Sequence, residues 1–341
     1  MTSPRQSPPY SLPLALTLGE PAGIGPEITL KAWLARKSEA LPVFFAIGPV
    51  ALYRQLADAL GLDVPVQAIS DPSEAASGFD NALPVLAIEL DAGVESGKLA
   101  PANARAVMRS IDMACDFALG GRAGGLVTNP IHKRALYEAG LQVPGHTEYL
   151  AARTGGQTPV MMLSCPGLRV VPVTVHEPLA RVPALLTAAV IVEKGLILGH
   201  ALRRDLGIAR PRIAVAGLNP HAGEEGHIGR EEIDIIAPAI EAIRREGFDV
   251  SGPLPPDTMF HAGARARYDA ALCMYHDQAL IPLKTIDFER GVNTTLGLPV
   301  VRTSPDHGTA LDIAGRGIAH PGSLIEALKL AAEIARNRAA A

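Results

Sequence analysis

Short apolar runs alternate with segments of helical length along most of the chain, and no other feature of the sequence constrains the fold as strongly. The first run, residues 12–18 (LPLALTL), leads through a glycine-rich loop into a helical pattern that begins at Pro26. Further apolar runs lie at 42–48, 84–88, 124–128, 159–163, 169–175, 212–218 and 270–275, and helical patterns lie at 49–60, 100–119, 181–203, 230–246 and 322–338. This alternation predicts an α/β fold with a mostly parallel sheet flanked by helices.

Composition excludes several classes of protein. The length of 341 residues suits two domains, and the hydrophobic share of 48% with a formal net charge of −4 argues against disorder and against a nucleic-acid partner. The three cysteines form no C-x-x-C pair, so we expect reduced, buried thiols. The first residues lack an apolar leader, and the longest apolar stretch is interrupted by charges. We therefore expect no membrane partner and a cytoplasmic location.

Three loops that follow apolar runs carry a histidine beside polar or acidic residues. They are VTVHEP with His176, GLNPHAGEEGHIGRE with His221, and CMYHDQALIPLK with His276. Ligands of open α/β sheets bind beyond the carboxyl ends of strands, where these loops are expected. Imidazole suits zinc and other divalent metals, and three protein ligands with an open position are usual when the metal also contacts a substrate. The three histidines are far apart in the sequence and follow no short-range spacing rule. The alternative that they are unrelated loop residues therefore stays open.

Cationic and amide side chains follow the third histidine, at Lys284, Asn293 and Arg302, in segments of low charge density. Together they predict a clamp for phosphate or carboxylate, although a lone basic residue is more often a solvated surface charge. The motif PGHTEYLA places His146 and Thr147 where a helix begins. The free backbone N–H groups of a helix start favour an anion, with an ordinary helix cap by Thr147 as the alternative.

Two further loops have weaker signals. TNPIHKRAL places His132 and Lys133 at a helix start, where basic residues are unfavourable unless an anion or acidic neighbour is near; helix capping by the preceding residues is the alternative. No G-x-G-x-x-G motif follows the first apolar run, because its glycines stand at positions 19, 23 and 25. An ordinary Rossmann site is not supported, and we interpret Gly23 and Gly25 as residues of a tight turn.

Taken together, the motifs TLGEPAGIGPE, VTNPIHK, PGHTEYLA, GLNPHAGE, MYHDQALIPLK, GVNTTLGLP and RTSPDHGTALDIAGRG closely resemble the 4-hydroxythreonine-4-phosphate dehydrogenase family, in one order over nearly the whole chain. The resemblance implies NAD(P)-dependent oxidation of 4-phosphohydroxy-L-threonine to 2-amino-3-oxo-4-phosphohydroxybutyrate. That product decarboxylates to 3-amino-2-oxopropyl phosphate in pyridoxine 5'-phosphate biosynthesis. The resemblance also implies the two-domain fold of isocitrate and isopropylmalate dehydrogenases and a homodimer whose active site lies at the subunit interface.

The family's metal ligands match His176, His221 and His276 of this chain. The resemblance implies NAD or NADP as cofactor and one divalent ion per active site, which can be zinc, magnesium, manganese or cobalt. Because each metal site of the family takes ligands from both chains, the three histidines are predicted to belong to two shared sites.

The family's substrate contacts also have their counterparts here. They match His146, Thr147, Lys284, Asn293 and Arg302, of which Lys284 and His146 are predicted to be catalytic. The segment HGTALDIAGRG is similar to the nucleotide-binding stretch of isocitrate and isopropylmalate dehydrogenases, which makes His307, Gly308 and Asp312 the predicted cofactor contacts. The sequence departs from the common family pattern at Ala279, where glycine is frequent, without touching a matched residue.

The predicted organisation has a disordered tail at 1–11, a dinucleotide-side domain at 12–130 plus 296–341, and a metal, substrate and dimerisation domain at 131–295. Two other functions stay open. One is a sister dehydrogenase of 4-phospho-D-threonate or 4-phospho-D-erythronate, or of a dihydrodiol; the matched clamp residues favour a phosphorylated substrate. The other is a non-catalytic module that binds metal and phosphate.

Overall fold

The computed structural model of the chain describes residues 12–140, 145–156 and 158–341. The predicted tail at 1–11 lies outside the described residues. The strands are β1 (Leu14–Thr17), β2 (Phe44–Gly48), β3 (Val66–Ile69), β4 (Leu83–Ala87), β5 (Leu126–Val127), β6 (Val160–Cys165), β7 (Leu168–Pro172), β8 (Arg212–Ala216), β9 (Asp249–Leu254), β10 (Ala270–Cys273), β11 (Val292–Leu296) and β12 (Arg302–Pro305). The helices are α1 (Gly25–Leu34), α2 (Val50–Leu60), α3 (Ala75–Gly78), α4 (Ala104–Leu119), α5 (Lys133–Glu138), α6 (His146–Arg153), α7 (Val182–Leu185), α8 (Ala188–Arg204), α9 (Ala237–Arg245), α10 (Ala262–Arg265), α11 (His276–Ile286) and α12 (Gly322–Ala340).

The chain divides into two compact units, which comprise residues 12–146 with Pro299–Ala340, and Thr147–Leu298. The first unit holds a parallel sheet in the order β3-β4-β2-β1-β5-β12. Every residue of β1 and β2 is buried, as expected for strands covered on both faces. The apolar residues of α4 recur at helical spacing on its buried face, from Ala104 through Val107 and Ile111 to Ala114.

The second unit holds a mixed sheet in the order β11-β6-β7-β10-β8-β9. Its strands β7, β10, β8 and β9 are parallel, while β6 pairs antiparallel with β7 and with β11. The β6–β7 hairpin turns at Pro166 and Gly167, and Gly167 has φ +83°. Proline before a glycine with positive φ is the pattern of a tight turn, because proline fixes φ and glycine tolerates left-handed backbone.

The predicted α/β class with mostly parallel strands is confirmed, and the predicted apolar runs all contain strands. The runs did not reveal β3, β9, β11 and β12, for which the sequence lacks a continuous apolar stretch. In β11 and β12 the buried side chains include Thr294, Thr295, Thr303 and Ser304, so burial there is polar. The predicted helix at 181–203 is divided, because extended backbone at Thr187 ends α7 and the Thr187 side chain caps α8 by accepting the Val190 N–H at 3.3 Å.

The first glycine-rich loop is a site of close packing rather than only a tight turn. Gly19 has φ +68°, and a Cβ there would lie 2.6 Å from the Cβ of Asn129 and 2.7 Å from the carbonyl oxygen of Pro130. A Cβ on Gly23 would lie 2.8 Å from the carbonyl oxygen of Thr309. Both positions therefore need glycine because other backbone approaches them closely.

The cysteines Cys115, Cys165 and Cys273 are buried free thiols, as predicted. Burial raises the pKa of the Cys165 thiol to about 11, so it stays protonated at neutral pH.

Within the described part of the chain, no single helix is long and apolar enough to cross a membrane. In that part, one pair of helices, Leu179–Leu185 and Ala188–Arg204, has enough length and apolar character when taken together, but the two helices are bent by 91° relative to each other.

Candidate active site

The three histidines predicted to bind metal follow three adjacent parallel strands. Strand β10 lies between β7 and β8 and is parallel to both. His176 follows β7, His221 follows β8, and His276 is the first residue of α11, directly after β10. The carboxyl ends of neighbouring parallel strands meet at one edge of the sheet, so the topology brings all three loops to the same edge.

Two of the three histidines approach each other closely. The rings of His176 and His276 have centroids 5.8 Å apart at an interplanar angle of 43°. Both line a cavity of about 270 Å³, whose wall also includes Tyr275 and Asp277. The Asp277 carboxylate lies 2.7 Å from Nδ1 of His276, which orients this ring and leaves Nε2 for another partner.

Backbone strain marks the same loops. His176 has φ +53° and His221 has φ +54°, and the positive φ continues through Ala222, Glu224 and Glu225. Non-glycine residues rarely adopt this left-handed conformation, which costs about 1–3 kcal/mol per residue. Such strain persists where surrounding contacts over-determine it, and it clusters at ligand sites.

Within one chain, two of the three predicted histidine ligands lie close enough together to share a divalent metal. A metal roughly 2 Å from one nitrogen of each ring would lie roughly 3 Å from each ring centre, which suits the observed separation of His176 and His276. Among the described residues, no group of three or more His, Cys, Asp and Glu side chains converges on one point. His221 therefore does not complete a three-ligand site with the other two histidines of its own chain.

Lys284 lies beside the same histidine. His276, Asp277, Ile281 and Lys284 line a second cavity of about 440 Å³. The Lys284 ammonium is 5.6 Å from the centre of the Phe288 ring, a cation–π distance. The predicted substrate residue Lys284 and the predicted metal ligand His276 are thus placed together by helix α11.

Asn293, on β11, is another predicted substrate residue of this unit. Its Oδ1 atom is shielded from solvent and has no hydrogen-bond partner within the described ranges. A buried unsatisfied amide oxygen is costly and is retained where a ligand or water completes it. Thr147 is the second residue of α6 and is half-buried.

Positive charge converges around His146 in the first unit. Arg302 is 3% exposed and donates through Nη2 to Thr128 Oγ1 at 2.7 Å. Burial, then the charges of Arg302 and Lys133, hold the pKa of His146 well below its usual 6.5. His146 Nε2 is shielded and has no hydrogen-bond partner among the residues the structure describes. We interpret a neutral imidazole that is influenced by two cations as a candidate anion site.

Lys133 and Asn129 are not among the residues that the sequence predicts for the site. Lys133 forms no ion pair with any described residue, yet it is close enough to influence His146. Asn129 is fully buried and donates through Nδ2 to Thr17 and Thr29 at 3.0 Å, while its Oδ1 has no partner in the described part of the chain. The motif TNPIHK indicates an anion near Lys133, because basic residues at a helix start are unfavourable without one.

The predicted cofactor contacts lie on an irregular segment between β12 and α12. His307 Nδ1 is 3.0 Å from the carbonyl oxygen of Gly308, and Gly308 and Asp312 are exposed. A Cβ added to Gly308 would meet no atom within 4 Å, so its surroundings are open. The Thr309 carbonyl accepts the Ile24 N–H at 3.0 Å, which anchors this segment to the glycine-rich loop.

Helix α1 holds the end of the same segment. Buried Glu27 accepts the Ala319 N–H at 2.9 Å and the Lys31 ammonium at 2.8 Å. The same ammonium donates to the carbonyl oxygens of Gly317 and Ala319, at 2.9 and 2.7 Å. This satisfied polar cluster fixes the backbone that follows the predicted cofactor contacts.

The chain is similar in sequence to a known protein family and to individual proteins. Residues 40–331 match the family model described as pyridoxal phosphate biosynthetic protein PdxA. The chain is 55% identical to 4-hydroxythreonine-4-phosphate dehydrogenase of Caulobacter vibrioides, over 96% of this chain and 99% of the relative. It is 54% identical to the Erythrobacter litoralis protein of the same name, over 96% of this chain and 98% of the relative.

A solved structure agrees with the sequence matches. The crystal structure of 4-hydroxythreonine-4-phosphate dehydrogenase from Klebsiella pneumoniae superposes with a TM-score of 0.85 at 39% identity, covering 95% of this chain and 100% of that one. The match extends over nearly the full length of both chains. The chain belongs to the family of the pyridoxal phosphate biosynthetic protein PdxA.

Proposed function

We propose that this chain oxidises 4-phosphohydroxy-L-threonine to 2-amino-3-oxo-4-phosphohydroxybutyrate with NAD⁺ or NADP⁺, in the biosynthesis of pyridoxine 5'-phosphate. The observation that carries the proposal is the meeting of three histidine loops at one edge of the sheet, with two rings 5.8 Å apart, in a member of this family. In this oxidation a bound NAD(P)⁺ would accept the hydride of the alcohol carbon, while the hydroxyl proton would be released. The resulting β-keto acid then releases CO₂ to give 3-amino-2-oxopropyl phosphate.

We propose that each active site holds one divalent ion, bound by His176, His221 and His276. Zinc, magnesium, manganese and cobalt are the candidate metals. When bound, such an ion stabilises negative charge on a coordinated oxygen. Asp277 fixes the orientation of His276 through their 2.7 Å contact. Lys284, on the same helix, places a cation beside this edge of the sheet, where it can pair with an anionic end of the substrate.

Arg302, His146 and Lys133 form the second anion-binding group, and Asn293 and Thr147 supply neutral polar contacts. A phosphorylated amino acid has two anionic ends, and two groups of cations in the chain suit such a ligand. We also propose His307, Gly308 and Asp312 as contacts of the nicotinamide cofactor.

The decisive assay measures the absorbance of reduced nicotinamide after the protein is mixed with cofactor and substrate. Metal-stripped protein and protein restored with each of the four ions are tested with 4-phosphohydroxy-L-threonine, with 4-phospho-D-threonate and without substrate. We expect turnover only with restored metal, and fastest with 4-phosphohydroxy-L-threonine. Faster turnover of the threonate assigns the chain to the sister activity, and no turnover under any metal leaves a binding module.

We further propose a homodimer with shared active sites. Leu179 lines the cavity of His176 and is 67% exposed, while Ile281 lines the cavity of Lys284 and is 63% exposed. Phe288, near Lys284, is 74% exposed. Large apolar side chains rarely cluster in water around a polar site, and a second copy would cover them and supply the missing His221. Light scattering should give the mass of two chains; the mass of one chain would contradict the shared site.

The protonation of His146 provides a direct test of the anion group. Because its folded pKa lies below the unfolded value, His146 is neutral at pH 7, and its contribution to stability is complete above about pH 6.5 and declines as the pH falls toward the folded pKa. An anion beside the ring favours the charged form. Inorganic phosphate should therefore raise the pKa of His146.

Histidine-labelled protein followed by NMR during a pH titration measures this shift, and the resonance is assigned with His146→Gln. Chloride at the same ionic strength is the control and should leave the pKa unchanged. Equal titration curves in phosphate and chloride would show that no phosphate binds beside His146.

A further inference from the structure

Met274, the residue after β10, is hydrogen-bonded to the loop that carries His176. The carbonyl oxygen of Met274 accepts the Thr174 hydroxyl at 2.8 Å and the Thr174 N–H at 3.2 Å. Both residues are buried. The segment that leads to His176 is thereby joined to the segment that leads to His276, beyond the last paired residues of β7 and β10.

Gln278 joins the same peptide to the loop of the third histidine. Its Oε1 accepts the Met274 N–H at 2.6 Å, and its Nε2 donates to the carbonyl oxygen of Gly217 at 2.8 Å. Gln278 is 8% exposed and lies in the first turn of α11. Gly217 directly follows β8, so one side chain spans the ends of β10 and β8.

Glu232 shapes the next part of that loop. Its Oε1 accepts the N–H groups of Leu218 and Asn219, both at 2.7 Å, and its Oε2 accepts Nδ2 of Asn219 at 3.0 Å. The carboxylate is 3% exposed, and a Cβ on Gly223 would lie 2.5 Å from its Oε2. Glu232 begins a π-helical turn, a rare feature that is frequent at functional sites.

These contacts form one buried chain that runs from Thr174 through Met274 and Gln278 to Gly217, with Glu232 holding the residues that follow. We infer that Gln278 and Glu232 are positioning residues of the metal site, because they hold the backbone of the loops that carry the predicted histidine ligands without being ligands themselves. The inference rests on the proposed metal site. Such supporting partners typically change metal affinity about 10- to 100-fold when removed.

A purely structural role predicts a different result. Gln278→Met keeps the length of the side chain but leaves the Met274 N–H and the Gly217 carbonyl unpaired, so it lowers stability under either interpretation. Only a positioning role also lowers metal affinity. Tyr268→Phe is the matched control, since it removes one buried hydrogen bond, from Tyr268 to the Met259 carbonyl, at the opposite end of β10.

The experiment measures Co²⁺ affinity of the full-length protein by competition with a chelating dye, together with the visible spectrum of bound Co²⁺. Thermal unfolding of the metal-free protein and its mass in solution are measured in parallel. We expect Gln278→Met to bind Co²⁺ about 10- to 100-fold more weakly with an altered spectrum. Glu232→Gln keeps the Oε1 acceptor and should lose about 3- to 10-fold. Tyr268→Phe should be less stable but bind Co²⁺ like the unmodified protein.

The outcomes separate the two proposals. Unchanged affinity in Gln278→Met or, where that variant does not fold, in Glu232→Gln overturns the positioning role alone. Weakened affinity in a variant that has become a monomer also overturns it, because the loss then follows from dissociation. Failure of the unmodified protein to bind Co²⁺ overturns the metal site of the proposed function.

Discussion

Replacing His276 by alanine abolishes metal-dependent formation of reduced nicotinamide while the protein stays folded. Charge stabilisation by a coordinated metal is worth several kcal/mol, so its loss lowers turnover by about 10³-fold or more. The side chain is half-buried at the first position of α11, and its contact with Asp277 is solvent-accessible. Removing it therefore costs about 1 kcal/mol or less in unfolding free energy of the metal-free protein.

His227→Ala is the matched control, since His227 is exposed and lies in the same loop as His221 without being a predicted ligand. Its activity should stay within about twofold of the unmodified protein, as expected for a surface substitution. Full metal-dependent activity in His276→Ala would remove this residue from the metal site.

Mixing two inactive variants tests whether the site is shared. If His176 and His276 of one chain meet His221 of another, a dimer of one His276→Ala chain and one His221→Ala chain keeps one intact site. Random reassociation should then restore about a quarter of full activity. No recovery after mixing, in a protein that does exchange subunits, would contradict this division of the ligands between two chains.

Replacing Arg302 by methionine lowers kcat/KM by about 10²- to 10³-fold, because the variant keeps the volume of the side chain but loses a buried charge that we assign to the substrate. The inhibition constant of inorganic phosphate should rise in parallel. Removing the guanidinium also removes one cause of the low pKa of His146, so that pKa should move back toward its usual value.

Arg54→Met is a suitable control, since Arg54 is exposed and its Nη2 donates to the Val66 carbonyl on β3, at the other edge of the same sheet from β12. It should leave kcat/KM and phosphate inhibition unchanged. A similar loss in both variants, or a shift of the His146 pKa without any change in phosphate inhibition, would show that Arg302 is structural rather than part of the anion site.

The sequence indicates which residues are candidates for the site but not how they are arranged. His176, His221 and His276 were recognisable because each follows an apolar run, and loops after buried strands are where α/β folds bind ligands. For Lys133 the sequence indicates a basic residue at a helix start, which is unfavourable unless an anion or acidic neighbour is near. Its influence on His146 needs the spatial approach of residues from separate segments, which no local pattern encodes.

The α/β class, most strands and helices, the family and the types of residue available for chemistry can be read from the sequence, because apolar periodicity and local motifs are properties of neighbouring residues. The position of β10 between β7 and β8 is visible in the folded structure alone, since strand order depends on how distant segments pair. The same strand pairing places the ring centres of His176 and His276 5.8 Å apart, and contacts of Met274 and Gln278 join the loops. The positive φ values of His176 and His221 are likewise visible only in the tertiary structure, because local preference disfavours this conformation for residues other than glycine.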